Sequence, residues 1–503
     1  MNFIDSLLNR ITMYRLVLYY LIALLVSAGV LGYFSILPNS PLSIAYSTAV
    51  VVVASGVANY IFAKIWKAVP GDTSFYITAL ILASIVTPVS PENIQGAVVL
   101  AIIGVLAMAS KYVIAIKGKH IFNPAAVAVV LSALVLNHGA SWWIAGNIPL
   151  MALVIVGGFL IARKIQRLDL VFSFFAASLI TIAVLSVTDP LSNVRATLVH
   201  SPFFFLAFTM LTDPATMPGR REMRIAYGIL VGIWFAPQLH IGSFHPLPEM
   251  ALIFGNLFAY IVTSKDRLML TLKEKKEIAL NTYEFIFSPN KPLRFEPGQY
   301  LEWTLPHKKG IDSKGNRRYF TIASAPTEGD IHMAVKIGDP ASSYKKELLE
   351  LPLGEVISAG QLAGDFTLPK NTKKKLVFIA GGIGVTPFRS MVRYLFDGPP
   401  RDVVMLYSNK TAEEVAYYDL FERAGSELGI KTIYALTADT REFSGSHKGM
   451  IDRNVITSQV PDYKERLFYI SGPRAMVLSF EKTLSELGIS KRHIKTDYFP
   501  GFV

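Results

Sequence analysis

Long apolar runs, separated by short polar loops, fill the first half of the chain. The runs cover residues 13–37, 43–63, 74–90, 95–116, 122–137, 141–162, 168–188, 202–212, 225–239 and 247–264. A helix needs about 20 residues to cross a bilayer, so the pattern predicts a polytopic α-helical membrane domain of about ten transmembrane segments over residues 1–264. The runs 122–137, 202–212 and 225–239 are short, and short or proline-interrupted helices often line a binding site.

The pattern changes after residue 265. Short alternating runs at 283–287 and 300–303, bounded by Pro and Gly turns, predict a small antiparallel β-barrel over residues 265–370. From residue 371 to 503, buried-type strands at 376–380, 403–407 and 467–470 alternate with helical segments. This second pattern predicts an α/β nucleotide-binding domain.

Two segments of the first half resemble each other weakly. Thr87-Pro88 and Thr212-Asp213-Pro214 each form a polar turn that ends an apolar stretch. Two such turns in corresponding halves predict a repeat of about five helices.

Composition and charge agree with a chain that is half membrane protein. The residues are 52% hydrophobic, and the mean hydropathy is +0.40. The net charge is +12, but the basic residues of the first half lie in short loops between apolar runs, which favours membrane lipid and not nucleic acid as the partner. If the amino terminus is cytoplasmic, three of these loops fall inside: those with Lys64 and Lys67, with Lys111, Lys117 and Lys119, and with Arg163, Lys164 and Arg167. We therefore expect a multi-pass protein of the cell (inner or plasma) membrane, with residues 265–503 in the cytoplasm.

The residue types restrict the electron carriers that the chain could hold. There are 0 cysteines, which excludes thiolate-ligated iron–sulfur clusters and disulfides. A bis-histidine haem core needs histidines deep in facing helices, and the histidines of the first half lie at segment ends or in loops: His120, His138, His200, His240 and His245. We predict flavin and no metal.

The run Arg318-Tyr319-Phe320-Thr321 carries the groups that a flavin needs. Phe320 could face the ring, Thr321 could place a hydroxyl near N5, and Arg318 could neutralise the pyrophosphate. Ser342 and Ser343 then open a helix whose backbone amides could hold phosphate oxygens. An ordinary amphipathic strand and a routine helix cap are the alternatives.

A second motif is glycine-rich. Residues 381–387, Gly-Gly-Ile-Gly-Val-Thr-Pro, follow a strand and open a helix, as a dinucleotide loop requires, although the spacing is not GxGxxG. Ser471-Gly472-Pro473, after a later strand, fits a second nucleotide contact. The alternative is a tight strand–helix turn.

Together these motifs resemble the ferredoxin–NADP reductase family over about residues 268–503. The resemblance implies that FAD is bound by Arg318, Tyr319, Phe320, Thr321, Ser342 and Ser343. It implies that NAD(P)H is contacted by Gly382, Gly384, Thr386, Gly472 and Pro473. It also places Asp497 near the nicotinamide and Phe499 near the isoalloxazine, so the catalytic candidates are Thr321, Ser471, Asp497 and Phe499.

Two details of the reductase motifs stay open. The family usually has Cys-Gly-Pro where this chain has Ser471-Gly472-Pro473, so we expect slower or retuned hydride transfer. Lys410 and Arg389 could meet a 2′-phosphate, but Glu413 and Glu414 lie close by in sequence. NADH and NADPH are both compatible with this pattern.

The first half carries a resemblance of its own. Residues 209–216, Asn123-Pro124 and Pro248-Glu249 with Asn256 are similar to the membrane flavin subunits of sodium-pumping NADH:quinone reductase and of the Rnf complex. The resemblance implies FMN held by a phosphoester on a threonine and attached by a flavin transferase, with Thr212 as first choice and Thr216 as second. Otherwise, Thr212 satisfies backbone groups at a helix end.

Two further polar residues belong to the same resemblance. Asp213 could bind flavin, attract a cation or cap a helix. Asn123 could contact a second, non-covalent flavin.

The function predicted from these patterns is electron transfer across the membrane. NAD(P)H would reduce FAD, electrons would pass to flavin in the membrane domain, and an extracytoplasmic acceptor would receive them. One alternative is an NAD(P)H:quinone oxidoreductase, with or without ion coupling. Another, from a different class, is a transporter with a redox-sensing reductase domain.

Overall fold

The computed structural model describes Leu8 and residues 11–66, 72–116, 119–187, 189–263, 268–306, 316–438 and 446–498. The chain divides into two compact units, Asn2–Thr263 and Ser264–Val503.

The first unit is helical. Its helices are α1 (Met13–Tyr33), α2 (Pro41–Ile65), α3 (Asp72–Ile85), α4 (Ile94–Val113), α5 (Pro124–Leu136), α6 (Ile148–Ile165), α7 (Leu168–Leu185), α8 (Pro190–His200), α9 (Phe203–Phe205), α10 (Arg221–Phe235) and α11 (Pro248–Val262). A π-helix, Leu206–Met210, follows α9, and two short strands, β1 (Ala115–Ile116) and β2 (Lys119–His120), precede α5. Among the described residues, α1, α2, α4, α6 and α7 are long and apolar enough to cross a membrane.

Most predicted apolar runs became helices, with two differences. The run 141–162 is helical only from Ile148, because Trp142 adopts a left-handed backbone conformation with φ 52° and residues 143–146 form a turn. Helix α8 was not expected, because its sequence is too polar for an apolar run. It begins where Asp189 accepts a hydrogen bond from the backbone of Ser192, with Pro190 in the first turn.

The helix contacts show the five-element repeat. Helix α2 packs on α4 as α7 packs on α10, and α4 packs on α5 as α10 packs on α11. Helix α1 contacts α3, and α6 contacts the π-helix at the corresponding place. The two sets meet where α1 contacts α6 and α5 contacts α11.

The second unit begins with an antiparallel sheet. Its strands are β3 (Leu268–Ala279), β4 (Thr282–Pro289), β5 (Tyr300–Thr304), β6 (Arg317–Thr321), β7 (Ile331–Lys336) and, after helix α12 (Ser343–Glu350), β8 (Val356–Ala363). The strand order is β6-β5-β8-β3-β4-β7. The backbone N–H of Ala323, just beyond β6, donates to the carbonyl of His332 in β7 at 2.9 Å, so the two edges of the sheet meet at one end.

A parallel sheet with helices follows. Its elements are β9 (Leu376–Gly381), α13 (Thr386–Leu395), β10 (Val403–Asn409), α14 (Tyr418–Leu428), β11 (Lys431–Leu436), β12 (Ser446–Lys448), α15 (Arg453–Gln459), β13 (Leu467–Gly472), α16 (Arg474–Glu486) and β14 (Ile494–Tyr498). The strand order is β12-β11-β10-β9-β13-β14. The order reverses between β9 and β13, and ligands bind at the carboxyl ends of strands at such a switch point.

Candidate functional site

Arg318 and Phe320 meet the first turn of α12. Both point to the same face of β6, because side chains alternate along a strand. The guanidinium of Arg318 lies 5.2 Å from the ring centre of Tyr344, and the ring of Phe320 lies 5.8 Å from it. Strand β6 and α12 therefore form one cradle with an aromatic face and a cation. The sequence analysis missed Tyr344, although the residue lies directly after Ser342 and Ser343.

Thr321 and Tyr319 point to the other face of β6. The hydroxyl oxygen of Thr321 is buried and has no hydrogen-bond partner in the described part of the chain. Tyr319 is partly exposed, and its hydroxyl donates to the side-chain oxygen of Gln361 at 3.2 Å. A buried hydroxyl without a partner is costly unless a ligand bonds to it, so Thr321 fits a flavin contact.

Ser342 caps α12. Its side-chain oxygen accepts from the backbone N–H of Lys345 at 3.4 Å, and Ser343 is the first helical residue. The start of α12 can thus present backbone N–H groups to a phosphate beside Arg318. Arg318, Phe320 and the serine pair, supported from behind by the buried Tyr344, together fit the ring and pyrophosphate of FAD.

The glycine-rich loop packs against the turn after β13. A Cβ on Gly384 would lie 2.5 Å from both the Cα of Gly472 and the carbonyl oxygen of Ser471, so the two backbones touch. Gly382 has a φ of 52° and open space where a Cβ would stand. A dinucleotide needs such close backbone approach and an open glycine.

Ser471 and Asp497 are partners across neighbouring parallel strands, β13 and β14. The hydroxyl oxygen of Ser471 is buried and lacks a hydrogen-bond partner within the described ranges. Burial raises the pKa of Asp497 to about 6. A perturbed carboxyl beside an unsatisfied hydroxyl is typical of a reactive centre. Phe499 lies outside the described residues.

Four other nucleotide candidates have simpler positions. Thr386 is buried at the start of α13, and its hydroxyl donates to the carbonyl of Ile383 at 3.3 Å. Pro473 directly precedes α16. Arg389 is buried and bonded to Glu328 and to the carbonyl of Ala323, so the suggestion that it meets a 2′-phosphate is wrong. Lys410, exposed at the end of β10, stays a candidate for that contact.

In the membrane unit, Asn256 of α11 connects three elements. It is 0% exposed. Its oxygen accepts from the backbone N–H of Asn123 at 2.8 Å, and its amide donates to the Tyr227 hydroxyl at 2.9 Å and to the Thr216 carbonyl at 3.4 Å. Asn123 in turn caps α5 by accepting from the backbone N–H groups of Ala125 and Ala126. Asn123 and Thr216 therefore belong to one polar cluster.

The two threonine candidates differ in their hydrogen bonding. The Thr212 hydroxyl donates to the Phe208 carbonyl at 2.7 Å, one turn earlier. The Thr216 hydroxyl is buried, and no described residue bonds to it. The Asp213 carboxylate accepts from the backbone N–H of Ala215 at 3.0 Å, so it stabilises the turn between them.

Two family models match this chain. Residues 133–265 match the NQR2, RnfD, RnfE family, and residues 378–482 match the oxidoreductase NAD-binding domain. The flavohemoprotein of Bacillus subtilis is 25% identical over 299 residues, which is 58% of this chain and 70% of that protein. The flavohemoprotein of Candida albicans is 33% identical over 215 residues, or 41% of this chain, and the match spans 51% of that protein, about half its length. A solved flavohem-like FAD/NAD-binding domain, of nitric oxide dioxygenase from Vibrio cholerae, aligns with a TM-score of 0.42 and 19% identity, covering 47% of this chain and 99% of that chain.

The chain is therefore an oxidoreductase. It is a multi-pass membrane protein that joins a membrane domain of the NQR2, RnfD, RnfE family to a flavin-dependent NAD(P)H reductase domain of the ferredoxin–NADP reductase type.

Proposed function

We propose that this protein carries electrons from cytoplasmic NAD(P)H through FAD to a flavin in its membrane domain, and from there to an extracytoplasmic acceptor. The observation that carries the proposal is the buried polar cluster around Asn256, in a membrane domain fused to a reductase. Polar groups inside a membrane domain are expensive and mark functional sites. The Thr216 hydroxyl, buried in that cluster without a bond to any described residue, supports a ligand there.

The distribution of charge supports the proposed side of the membrane. Lys64, Lys111 and Arg163 lie at the ends of α2, α4 and α6, in keeping with cytoplasmic loops. With the amino terminus in the cytoplasm, the reductase domain is cytoplasmic too. NAD(P)H would then be oxidised inside the cell and the acceptor reduced outside it.

The chemistry that FAD would supply here is hydride acceptance and one-electron transfer. Arg318, Phe320 and the start of α12 would hold its pyrophosphate and ring. Gly384 and the Ser471–Gly472 turn would position the nucleotide. The half-buried Asp497 would stand beside the reacting face.

We further propose that the membrane flavin is FMN, joined by a phosphoester to Thr212, with Thr216 as the second choice. A flavin transferase would make this bond. Attachment at Thr212 requires its hydroxyl to leave the Phe208 carbonyl, whereas the Thr216 hydroxyl has no bond to break among the described residues. Since Asn123 shares the cluster with Thr216, we propose one flavin at this place.

Mass spectrometry of the protein purified from membranes, after co-expression with a flavin transferase, tests the attachment. We expect a peptide covering residues 212–216 to gain the mass of FMN less one water, because the phosphoester forms with net loss of water. Thr212→Val should remove the modification. The matched control is Thr48→Val, because the Thr48 hydroxyl also donates to the carbonyl one turn earlier at 2.7 Å. A flavin that moves to Thr216, or that is lost only in Thr216→Val, would overturn the first choice.

A sided assay tests the electron path. Inside-out vesicles with trapped ferricyanide receive NADH or NADPH from outside, and each nucleotide oxidised should reduce two ferricyanide ions in the lumen and release one proton. Rapid reduction of an added ubiquinone with no reduction of trapped ferricyanide would favour the quinone reaction. A membrane domain that retains no flavin would refute the proposed path and favour a transporter.

A further inference from the structure

Helix α13, which starts at the glycine-rich loop, is hydrogen-bonded directly to the residues that follow β6. The Arg389 guanidinium donates to the Ala323 carbonyl at 3.1 Å, and the Ser390 hydroxyl donates to the Ser324 carbonyl at 2.7 Å. Both donor side chains are buried, Arg389 at 8% and Ser390 at 0% exposed. Buried bonds of this kind keep their geometry, because water does not compete for them.

The two bonds lie very near both ligand sites. Arg389 comes three residues after Thr386, at the nucleotide loop, and Ala323 comes two residues after Thr321, in the flavin strand. The backbone of a helix or of a strand end is stiff over two or three residues. A shift of α13 against residues 323–324 would therefore change the spacing between the nucleotide and the flavin directly.

A surrounding network holds Arg389 itself in place. Arg389 is also bonded to Glu328, and its guanidinium lies 5.6 Å from the ring centre of Tyr417. The Tyr417 hydroxyl and His332 Nδ1 both contact the same carboxylate oxygen of Glu284, at 2.9 and 3.1 Å.

The charge state of Glu284 supports this arrangement. Burial alone would raise its pKa, but the hydrogen bond and charge of His332, together with Arg389 and Lys276, outweigh burial and lower the pKa to about 2. Glu284 is therefore an anion at neutral pH, and its bond with Tyr417 joins the antiparallel sheet to the start of α14.

We propose that Arg389 and Ser390 are positioning residues for hydride transfer, because they fix the distance between the nucleotide loop and the flavin strand. The proposal rests on the reductase half of the proposed function. In the transfer, the C4–H bond of the nicotinamide breaks, and the hydrogen with both bonding electrons passes to N5 of the flavin. The nicotinamide is oxidised and the flavin is reduced. Neither residue touches the reacting atoms.

The first test is Ser390→Ala in the full-length protein loaded with FAD. Misplacement by 1 Å costs about 100-fold in rate, so loosening by about half an ångström should cost about tenfold. Anaerobic stopped-flow mixing with NAD(P)H should show a limiting rate of FAD reduction that is lower by about 3- to 10-fold. The dissociation constant for the nucleotide should stay unchanged, and the long-wavelength charge-transfer absorbance should weaken.

The matched control is Thr327→Val. The Thr327 hydroxyl donates to Asp397 at 2.7 Å, so it joins the same two domains with a bond of the same length, but it meets the chain beyond the far end of α13. This variant should keep the wild-type rate and charge-transfer absorbance. Equal rates in Ser390→Ala and Thr327→Val would overturn the proposal.

Arg389→Lys gives a second, independent test. It keeps the positive charge beside Glu328, but the lysine ammonium lacks the planar guanidinium that bonds Glu328 and the Ala323 carbonyl at the same time. Retained FAD content with a reduced limiting rate supports positioning. A lower melting temperature with a wild-type rate would mean that Arg389 acts on stability alone and would overturn its assignment. If the wild-type protein fails to reduce FAD with either nucleotide, the reductase function is wrong, which is a separate result.

Discussion

Replacing Asn256 by leucine is the sharpest test of the membrane site. The two side chains are similar in size, so the change removes hydrogen bonds with little loss of volume. The backbone N–H of Asn123, the carbonyl of Thr216 and the hydroxyl of Tyr227 each lose a partner. The polar cluster then has no link between α5, α10 and α11.

The expected cost can be worked from these bonds. Hydrogen bonds between membrane helices average about 0.6 kcal/mol and reach about 1.7 kcal/mol. The contacts of Asn256 at 2.8 and 2.9 Å are strong, and the one at 3.4 Å is weak. Asn256→Leu should therefore lower the unfolding free energy by about 2 kcal/mol.

Two measurements check this reasoning. Unfolding of the purified protein in mixed micelles gives the stability. The flavin absorbance of the denatured and desalted protein gives the covalent membrane flavin per chain, because the FAD of the reductase is removed with the small molecules. We expect Asn256→Leu to lose both stability and membrane flavin. Tyr227→Phe, which breaks one bond only, should lose about 0.6 kcal/mol and keep most of the flavin.

The repeat supplies a matched control. Ser132 is the ninth residue of α5, as Asn256 is the ninth of α11, and both are 0% exposed. The Ser132 hydroxyl donates to the Val129 and His138 carbonyls, which lie outside the Asn256 cluster. Ser132→Ala should reduce stability without loss of flavin. Full flavin content in Asn256→Leu would refute the assignment of this cluster as the site.

Three further predictions concern the reductase. Because burial raises the pKa of Asp497 from 3.8 to about 6, stability should be lost as pH rises through this interval. Relative to the wild type, Asp497→Asn should therefore raise the free energy of unfolding in urea by up to about 3 kcal/mol at pH 7 and leave it unchanged below about pH 3. The pKa of Glu284 is lowered from 4.5 to about 2, so its carboxylate stabilises the fold above this pH interval. Glu284→Gln should therefore lower the free energy of unfolding by up to about 3 kcal/mol at pH 7 and match the wild type near pH 2. Gly384→Ala would place a Cβ 2.5 Å from Gly472, so titration should show nucleotide binding weakened by at least about tenfold with FAD retained, whereas Gly338→Ala, which meets no atom within 4 Å, should bind normally.

Local signals made the reductase largely predictable. The run before Gly381 is fully buried on both faces, and the glycines after it force a turn, so the strand and its loop could be read directly. The face of β6 on which each side chain lies was harder to predict. The sequence analysis grouped Arg318, Phe320 and Thr321, but strand geometry puts Thr321 on the opposite face from the other two.

Long-range pairing explains what the sequence analysis missed. Asn123 and Asn256 are 133 residues apart, and Arg389 and Ala323 are 66 apart. Such contacts depend on how helices and sheets pack, and no short motif records them. Polar residues within apolar helices, such as Asn256, were a usable signal, because a buried amide needs partners.

The π-helix at Leu206–Met210 has a mechanical consequence for the residues after it. A π-helical turn holds one more residue than an α-helical turn, and such segments are frequent at functional sites. Moving the register by one residue rotates everything that follows by about 100° around the helix axis. Phe208 lies inside this segment and Thr212 lies in the turn that follows it, so a change of register within the segment would move the carbonyl that the Thr212 hydroxyl meets. A change of register in this segment would therefore free the Thr212 hydroxyl from the Phe208 carbonyl.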